Sequence, residues 1–116
     1  MNTQTIVKVN IDVVLDVRMG IGSAFCEMFE TSQQGRFPEG TRYKDLVKIF
    51  GEPQFGESID GKIQVEWVGK INGSIFTIYD YNSKVNPKQN TDWHIGGKHA
   101  MTADLVKAYF AAALLT

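Results

Sequence analysis

Asn72-Gly73 stands between two runs of apolar and β-favouring residues, Lys62 to Ile71 and Ser74 to Tyr81. This pair tolerates the positive φ angles of a two-residue turn, so the stretch is constrained to a β-hairpin. With Asn72 and Gly73 in the turn, Ile71 faces Ser74. The register then places Trp67 opposite Ile78, Val65 opposite Asp80 and Ile63 opposite Asn82. Successive side chains of a strand point to opposite faces. One face therefore carries Ile63, Val65, Trp67, Ile71, Phe76 and Ile78 and is assigned to the core. The other pairs Lys70 with Ile75, Val68 with Thr77, Glu66 with Tyr79 and Gln64 with Tyr81. That mixed polar and aromatic surface is available to a partner or a flat ligand. Asp80 breaks the pattern, because the register turns it toward the apolar side. A carboxylate there needs a partner or water, and it is expected at a frayed, wet strand end.

The rest of the chain supplies the elements that cover this hairpin. From Thr5 to Arg18, Val7, Val9, Ile11, Val13, Leu15 and Val17 alternate with mostly polar residues, which predicts a long half-buried strand. Ser23 to Thr31 fits a short helix capped by Ser23, although Phe25, Glu27 and Phe29 also alternate as in a strand. Ser32 to Gly40, with its glycines, proline and glutamines, reads as an exposed connection. A helix capped by Thr41 follows, with Tyr43, Leu46, Val47 and Phe50 on its apolar side and Gly51 and Pro53 as its stop. Ser83 to Asn90 is a polar loop, Thr91 to Ile95 a short strand, and Gly96-Gly97 a freed turn. Leu105, Val106, Tyr109, Phe110, Ala113 and Leu114 recur at helical spacing, predicting a final helix from Thr102 to Leu115 with Thr102 as N-cap. The expected fold is a single α+β domain over 1–116, with an antiparallel sheet of about four or five strands, a long C-terminal helix and one or two shorter helices.

Composition excludes several classes of function. A chain of 116 residues buries about two-thirds of its unfolded surface and needs no metal or disulfide to fold. The formal net charge of -1, with scattered basic residues, lacks the footprint of a duplex-binding protein, so no polymeric nucleic acid is expected. The single cysteine, Cys26, cannot form an internal disulfide, and its apolar neighbours suit a small core residue better than a nucleophile. No apolar run approaches the roughly 20 residues of a membrane span, and the N-terminus lacks a signal-peptide pattern. A cytoplasmic protein with no membrane partner is the expectation.

His94-Ile95-Gly96-Gly97-Lys98-His99 is the densest concentration of functional residue types. Adjacent glycines let backbone N–H groups converge, and the following helix contributes its positive end. Lys98 and His94 or His99 could then complete a phosphate pocket, or Gly96-Gly97 could simply join strand to helix. The spacing of a nucleotide-hydrolysing P-loop is absent. The two histidines match no standard zinc arrangement, and Glu66 and Asp80 fall on opposite faces of the hairpin, so neither a metal, a cofactor nor a catalytic couple is expected. Binding has the better case. Tyr79 and Tyr81 can stack on a planar base, with Asn90, Asp92 and Trp93 approaching from the loop before His94. The same aromatics equally suit an oligomer or protein interface.

The order of a Gly-Thr helix start, a short helix, Phe50-Gly51-Glu52-Pro53 and a Trp-bearing hairpin resembles, over Gly40 to Tyr81, the repeat of β-lactamase-inhibitor-like and outer-membrane-assembly lipoprotein domains, which implies a small helix on an antiparallel sheet. A wider resemblance rests on four ordered motifs: Phe50 to Pro53 (FGEP), Glu66-Trp67 (EW), Thr77 to Asp80 (TIYD) and Trp93 to Gly97 (WHIGG). From about Thr41 to Phe110 these look like a family of small phage proteins, and resemble the Thoeris anti-defence sponges that sequester cyclic ADP-ribose signals. The resemblance implies a noncatalytic homo-oligomer in the cytoplasm of an infected host cell. It also implies a pocket for a cyclic nucleotide or ADP-ribose-type molecule, lined by an aromatic, polar loop residues and basic side chains. Lys98 and Lys107 are the basic residues on offer near the final helix, and Arg42 is the last arginine, so the arginine contacts to phosphate depart from the pattern. The alternative function is a protein-binding inhibitor of a host defence protein, acting through the exposed sheet face.

Overall fold

The computed structural model describes residues 11–13, by backbone, and 30–115. Five strands are present in it: β1 (Ile11–Val13), β2 (Ser32–Arg36), β3 (Glu66–Ile71), β4 (Ser74–Tyr79) and β5 (His94–Gly97). Two helices, α1 (Tyr43–Phe50) and α2 (Ala100–Leu114), and a 3₁₀ turn at Pro87–Gln89 are the other elements among the described residues. Asn72 and Gly73 have φ values of 49° and 79°, the primed turn that matches the twist of flanking strands. This turn fixes the β3–β4 register at the expected pairs, from Glu66 with Tyr79 through Trp67 with Ile78 to Ile71 with Ser74. The sheet runs β1-β3-β4-β5-β2 with every neighbour antiparallel. The result is one α+β domain.

Both helices pack on one side of this sheet, here the helix face. Leu46 and Phe50 from α1 and Ala103, Val106 and Phe110 from α2 meet Trp67, Ile71, Phe76, Ile78, Trp93, Ile95 and Phe37 in one core. Phe50 stacks on Phe110 at 6.1 Å and 5°, locking the helices together. Gly51 ends α1 at φ 82°, and its carbonyl accepts the Trp67 indole N–H at 2.7 Å. The helix terminus is thereby anchored to the hairpin.

Several expectations shift. Arg42, not Thr41, holds the N-cap position of α1, and no side chain caps it; the Thr41 hydroxyl donates instead to the Pro38 carbonyl at 2.7 Å. Thr102 is a buried residue of the first turn of α2, not its N-cap, because the helix starts at Ala100 with His99 at the cap. A Cβ on Gly97 would lie 3.3 Å from the Ile75 carbonyl oxygen and in ordinary contact, at 3.7 Å, with the Thr102 methyl. Ser32 to Gly40 contains the edge strand β2 where an exposed connection was expected. A register shift between Gln33 and Gly35 hides its alternation. Gly35 lets the strand pass close under α2, where an added Cβ would be 3.0 Å from that of Ala103. The strand expected from Thr5 to Arg18 is described only at Ile11–Val13, while the Ser23 helix start and Cys26 lie outside the described residues.

Asp80 is fully buried, not frayed and wet. Its carboxylate accepts the backbone N–H groups of Gln64 (2.8 Å) and Val65 (3.1 Å) and the Gln64 side-chain amide (2.9 Å). A charged side chain thus replaces the strand ladder where β3 begins, and Ile63 leaves the expected core face. The outer face of the sheet is also less open than the pattern suggested. The Gln54 amide exchanges two hydrogen bonds with the Val68 backbone, Phe55 bridges to Glu66, and the Phe55 ring covers Val68 and Ile75.

Candidate functional site

What the 54–63 segment leaves uncovered on the outer face is a transverse row of side chains. The registers of three strand pairs align Glu66 with Tyr79, Tyr79 with His94, and His94 with Arg36. Directly opposed residues of antiparallel strands interact, so the row is contiguous across β3, β4, β5 and β2. The next row is Val68, Thr77, Gly96 and Gln33. Above these rows lies a groove of about 600 Å³ with Glu66, Thr77, Tyr79 and Tyr81 in its floor, Thr31 to Gln33 at one wall, and Ser58 and Ile63 at the other.

Glycine at position 96 shapes this floor. A Cβ there would fall on the Thr77 hydroxyl and lie 3.3 Å from the Tyr79 ring, so both side chains lean over the strand that passes beneath them. The His94 ring stacks on Tyr79 at 5.5 Å and 17° and meets Tyr81 edge-on at 6.0 Å. Beyond it, Arg36 grips both carboxylate oxygens of Asp92 at 2.9 Å, and His94 Nε2 lies 3.7 Å from Asp92 Oδ2.

Two polar atoms in these rows, Thr77 Oγ1 and His94 Nδ1, are buried without a hydrogen-bond partner. Native proteins leave few such atoms unpaired, because each costs about 1–3 kcal/mol. Burial lowers the His94 pKa, with Asp92 partly opposing and Arg36 adding to the effect; the imidazole is neutral at neutral pH. The Asp92 carboxylate favours the proton on Nε2, which leaves Nδ1 as an acceptor. Burial, reinforced by the charge of Asp80, raises the Glu66 carboxyl to about 7. Burial also raises Tyr79, with Glu66 and then Tyr81 adding to it. The groove therefore offers an aromatic platform beside two groups able to take part in hydrogen bonds, the raised Glu66 carboxyl and the Thr77 hydroxyl, with the His94 imidazole stacked on Tyr79. Perturbed titratable groups gathered in a cleft are a mark of functional sites.

The expected site residues divide among different places. Tyr79, Tyr81, His94 and Asp92 come together here. Trp93 belongs to the core: it is fully buried, donates its indole N–H to the Asn90 carbonyl at 3.0 Å, and packs edge-on against Trp67 at 5.4 Å. Asn90 is buried and shapes the loop by bonding the Asp92 backbone. Gly96 and Gly97 are strand residues paired on one side with Thr77 and Phe76 and on the other with Gln33 and Ser32. Their backbone is committed to the sheet, so the anion cradle expected of them does not form. Lys98 pairs with Glu30 at 3.1 Å, His99 is exposed at the start of α2, and Lys107 pairs within its helix with Asp104 at 3.7 Å. Arg42 pairs with Asp45 at 3.2 Å on the helix side of the molecule. Glu66 and Thr77 were legible as outer-face residues opposite Tyr79 and Val68, but not as members of a site. Arg36 carried no sequence signal, since its strand was read as a loop.

Among the described residues no group of three or more His, Cys, Asp and Glu side chains converges as a metal site, and no helix is long and apolar enough to cross a membrane. Comparison of the chain with protein-family models, characterised proteins and solved structures yields no match.

Proposed function

We propose that the protein binds a small planar ligand of the nucleobase-bearing class in the outer-face groove and holds it without chemical change. The observation that carries this reading is the groove floor itself, where the Tyr79 and Tyr81 rings stand beside Glu66 and Thr77, the Thr77 hydroxyl having no hydrogen-bond partner. A ligand ring over the tyrosines brings a polar edge toward Thr77 and Glu66, which line the groove with them, while the His94 ring supports Tyr79 by stacking on it. Sites that leave polar groups unpaired without the correct ligand discriminate strongly against analogues lacking the matching group. The motif resemblance supplies the context: sequestration of a cyclic nucleotide or cyclic ADP-ribose-type immune signal by a phage counter-defence protein that assembles as a homo-oligomer.

Arg36 and Lys98, the nearby cations, are each engaged by a carboxylate. The groove therefore recognises the base, and the phosphates of such a ligand face outward. The reading as a protein-binding inhibitor needs a broad, flat surface, and Phe55 already covers Val68 and Ile75 in that face.

Native mass spectrometry and calorimetry of the whole chain with adenosine, ADP-ribose and a cyclic dinucleotide test this. Saturable binding is expected, with recovery of the unaltered ligand on denaturation and a loss of at least about tenfold in affinity in Tyr79→Ala. A ligand returned cleaved or rearranged would replace sequestration by catalysis. Absence of binding by all three, with a host protein retained instead, would move the function to the inhibitor reading.

A further inference from the structure

A second cavity lies across the sheet from the groove, between α1 and the Pro87–Gln89 turn, with a volume of about 480 Å³, within the range of small-molecule sites. Its apolar wall is built by Tyr43 and Val47, and its side chains include Arg42, Lys44 and Lys88. The Tyr43 ring is fixed from behind by Trp67 at 5.7 Å and Trp93 at 6.1 Å. Glu52 is the one carboxylate in the lining, and it accepts the Tyr43 hydroxyl at 3.5 Å. Arg42 is engaged by Asp45, whereas no ion pair holds Lys44 or Lys88 among the described residues. No side chain caps the first turn of α1, where the N–H groups of Tyr43 and Lys44 carry the helix's partial positive charge and the acidic residue, Asp45, is itself paired with Arg42.

We infer that this cavity is a binding site for a small aromatic anion, its ring against Tyr43 and Val47 and its charged group between Lys44 and Lys88 at the uncapped start of α1. An apolar wall with two unengaged ammonium groups and a helix terminus favours that combination over either a neutral ring or a bare ion, since each half of the ligand meets its own half of the site. The inference is independent of the outer groove, because none of these residues touches it. The expected ligand is therefore a phosphate or carboxylate carried on a ring.

Trp93 provides the readout. Its indole N–H is bonded to the carbonyl of Asn90, which lines the cavity, so the indole resonance of the ¹⁵N-labelled full chain reports occupancy. Titration with phenyl phosphate is expected to move that resonance saturably. Phenol and inorganic phosphate, each carrying half of the ligand, are expected to bind at least about tenfold more weakly, and the exposed-site double variant Lys44→Gln/Lys88→Gln to lose at least about tenfold in affinity. An unchanged thermal melt in the variant shows that its fold is intact. The site is overturned by the lack of a saturable shift or by equal affinity in the double variant. It is equally overturned if inorganic phosphate binds as tightly as phenyl phosphate, which would make the response one of bulk charge.

Discussion

The two faces of one sheet are finished in opposite ways. On the helix face the indole N–H of each tryptophan is matched: Trp67 donates to the Gly51 carbonyl and Trp93 to that of Asn90, and the rings interlock with Tyr43 and with each other. On the outer face, a few ångströms away through the same backbone, Thr77 and His94 keep buried atoms unpaired and Glu66 is held at about 7. The first arrangement stabilises the fold; the second costs stability, and under the proposed function a bound molecule would offset that cost. Which face a residue occupies therefore says what its loss will do.

The largest effect is expected on the helix face. Trp67→Ala should destabilise the chain by about 4 kcal/mol, since it removes a fully buried ring and leaves the Gly51 carbonyl unmatched at the end of α1; chemical denaturation reads it directly. Asp80→Ala, where β3 begins, is expected to cost about 3 kcal/mol, because two backbone N–H groups and an amide lose their common acceptor. A cost under about 1 kcal/mol there would mean that water fills the place of the carboxylate.

The outer face should behave in the reverse sense. The folded Glu66 carboxyl keeps its proton to about 7, against an ordinary value of 4.5. Between those values the folded state binds more protons than the unfolded state, so stability falls as pH rises through the window and levels off above it. Glu66→Gln is expected to abolish that fall and to be more stable than the native chain at pH 8, on the order of 2 kcal/mol. Parallel melting curves from pH 4 to 8 for the two proteins check the sign. The smallest effect is expected from Thr77→Val, which replaces an unpaired hydroxyl by a methyl of the same shape: stability unchanged or raised by up to about 1 kcal/mol, with ligand affinity in the groove reduced. A loss of more than that in stability would show that Thr77 is structural and would erase the contrast between the faces.

The sequence made the helix face readable because turn chemistry at Asn72-Gly73 sets a register, and a register assigns every side chain of β3 and β4 to a side. It also put Glu66, Thr77, Tyr79 and Tyr81 on the outer side. What stayed hidden depends on partners distant in the chain. Gln33, Gln34 and Gly35 have no alternation of their own and become a strand only by pairing with β5. Gly96-Gly97 suits a free turn and a crowded strand equally well, and only the Thr77 and Tyr79 side chains above it decide the matter. Asp80 could be seen to need partners, but the backbone that satisfies it precedes the strand and follows no period. The loop tryptophan, Trp93, carries the composition of a binding residue and the position of a core one.

The transverse row has a consequence for the order in which the molecule assembles. Its Glu66–Tyr79 half forms across a two-residue turn, whereas Arg36 meets Asp92 over 56 positions and Gln34 meets Gly97 over 63. Contacts closed over long stretches of chain form late. In a refolding experiment followed by pulsed amide exchange, the β3–β4 amides are expected to be protected first and those joining β2 to β5 last. The platform would then be complete only when the final strand docks, and a half-folded chain would carry the tyrosines without the wall beside them.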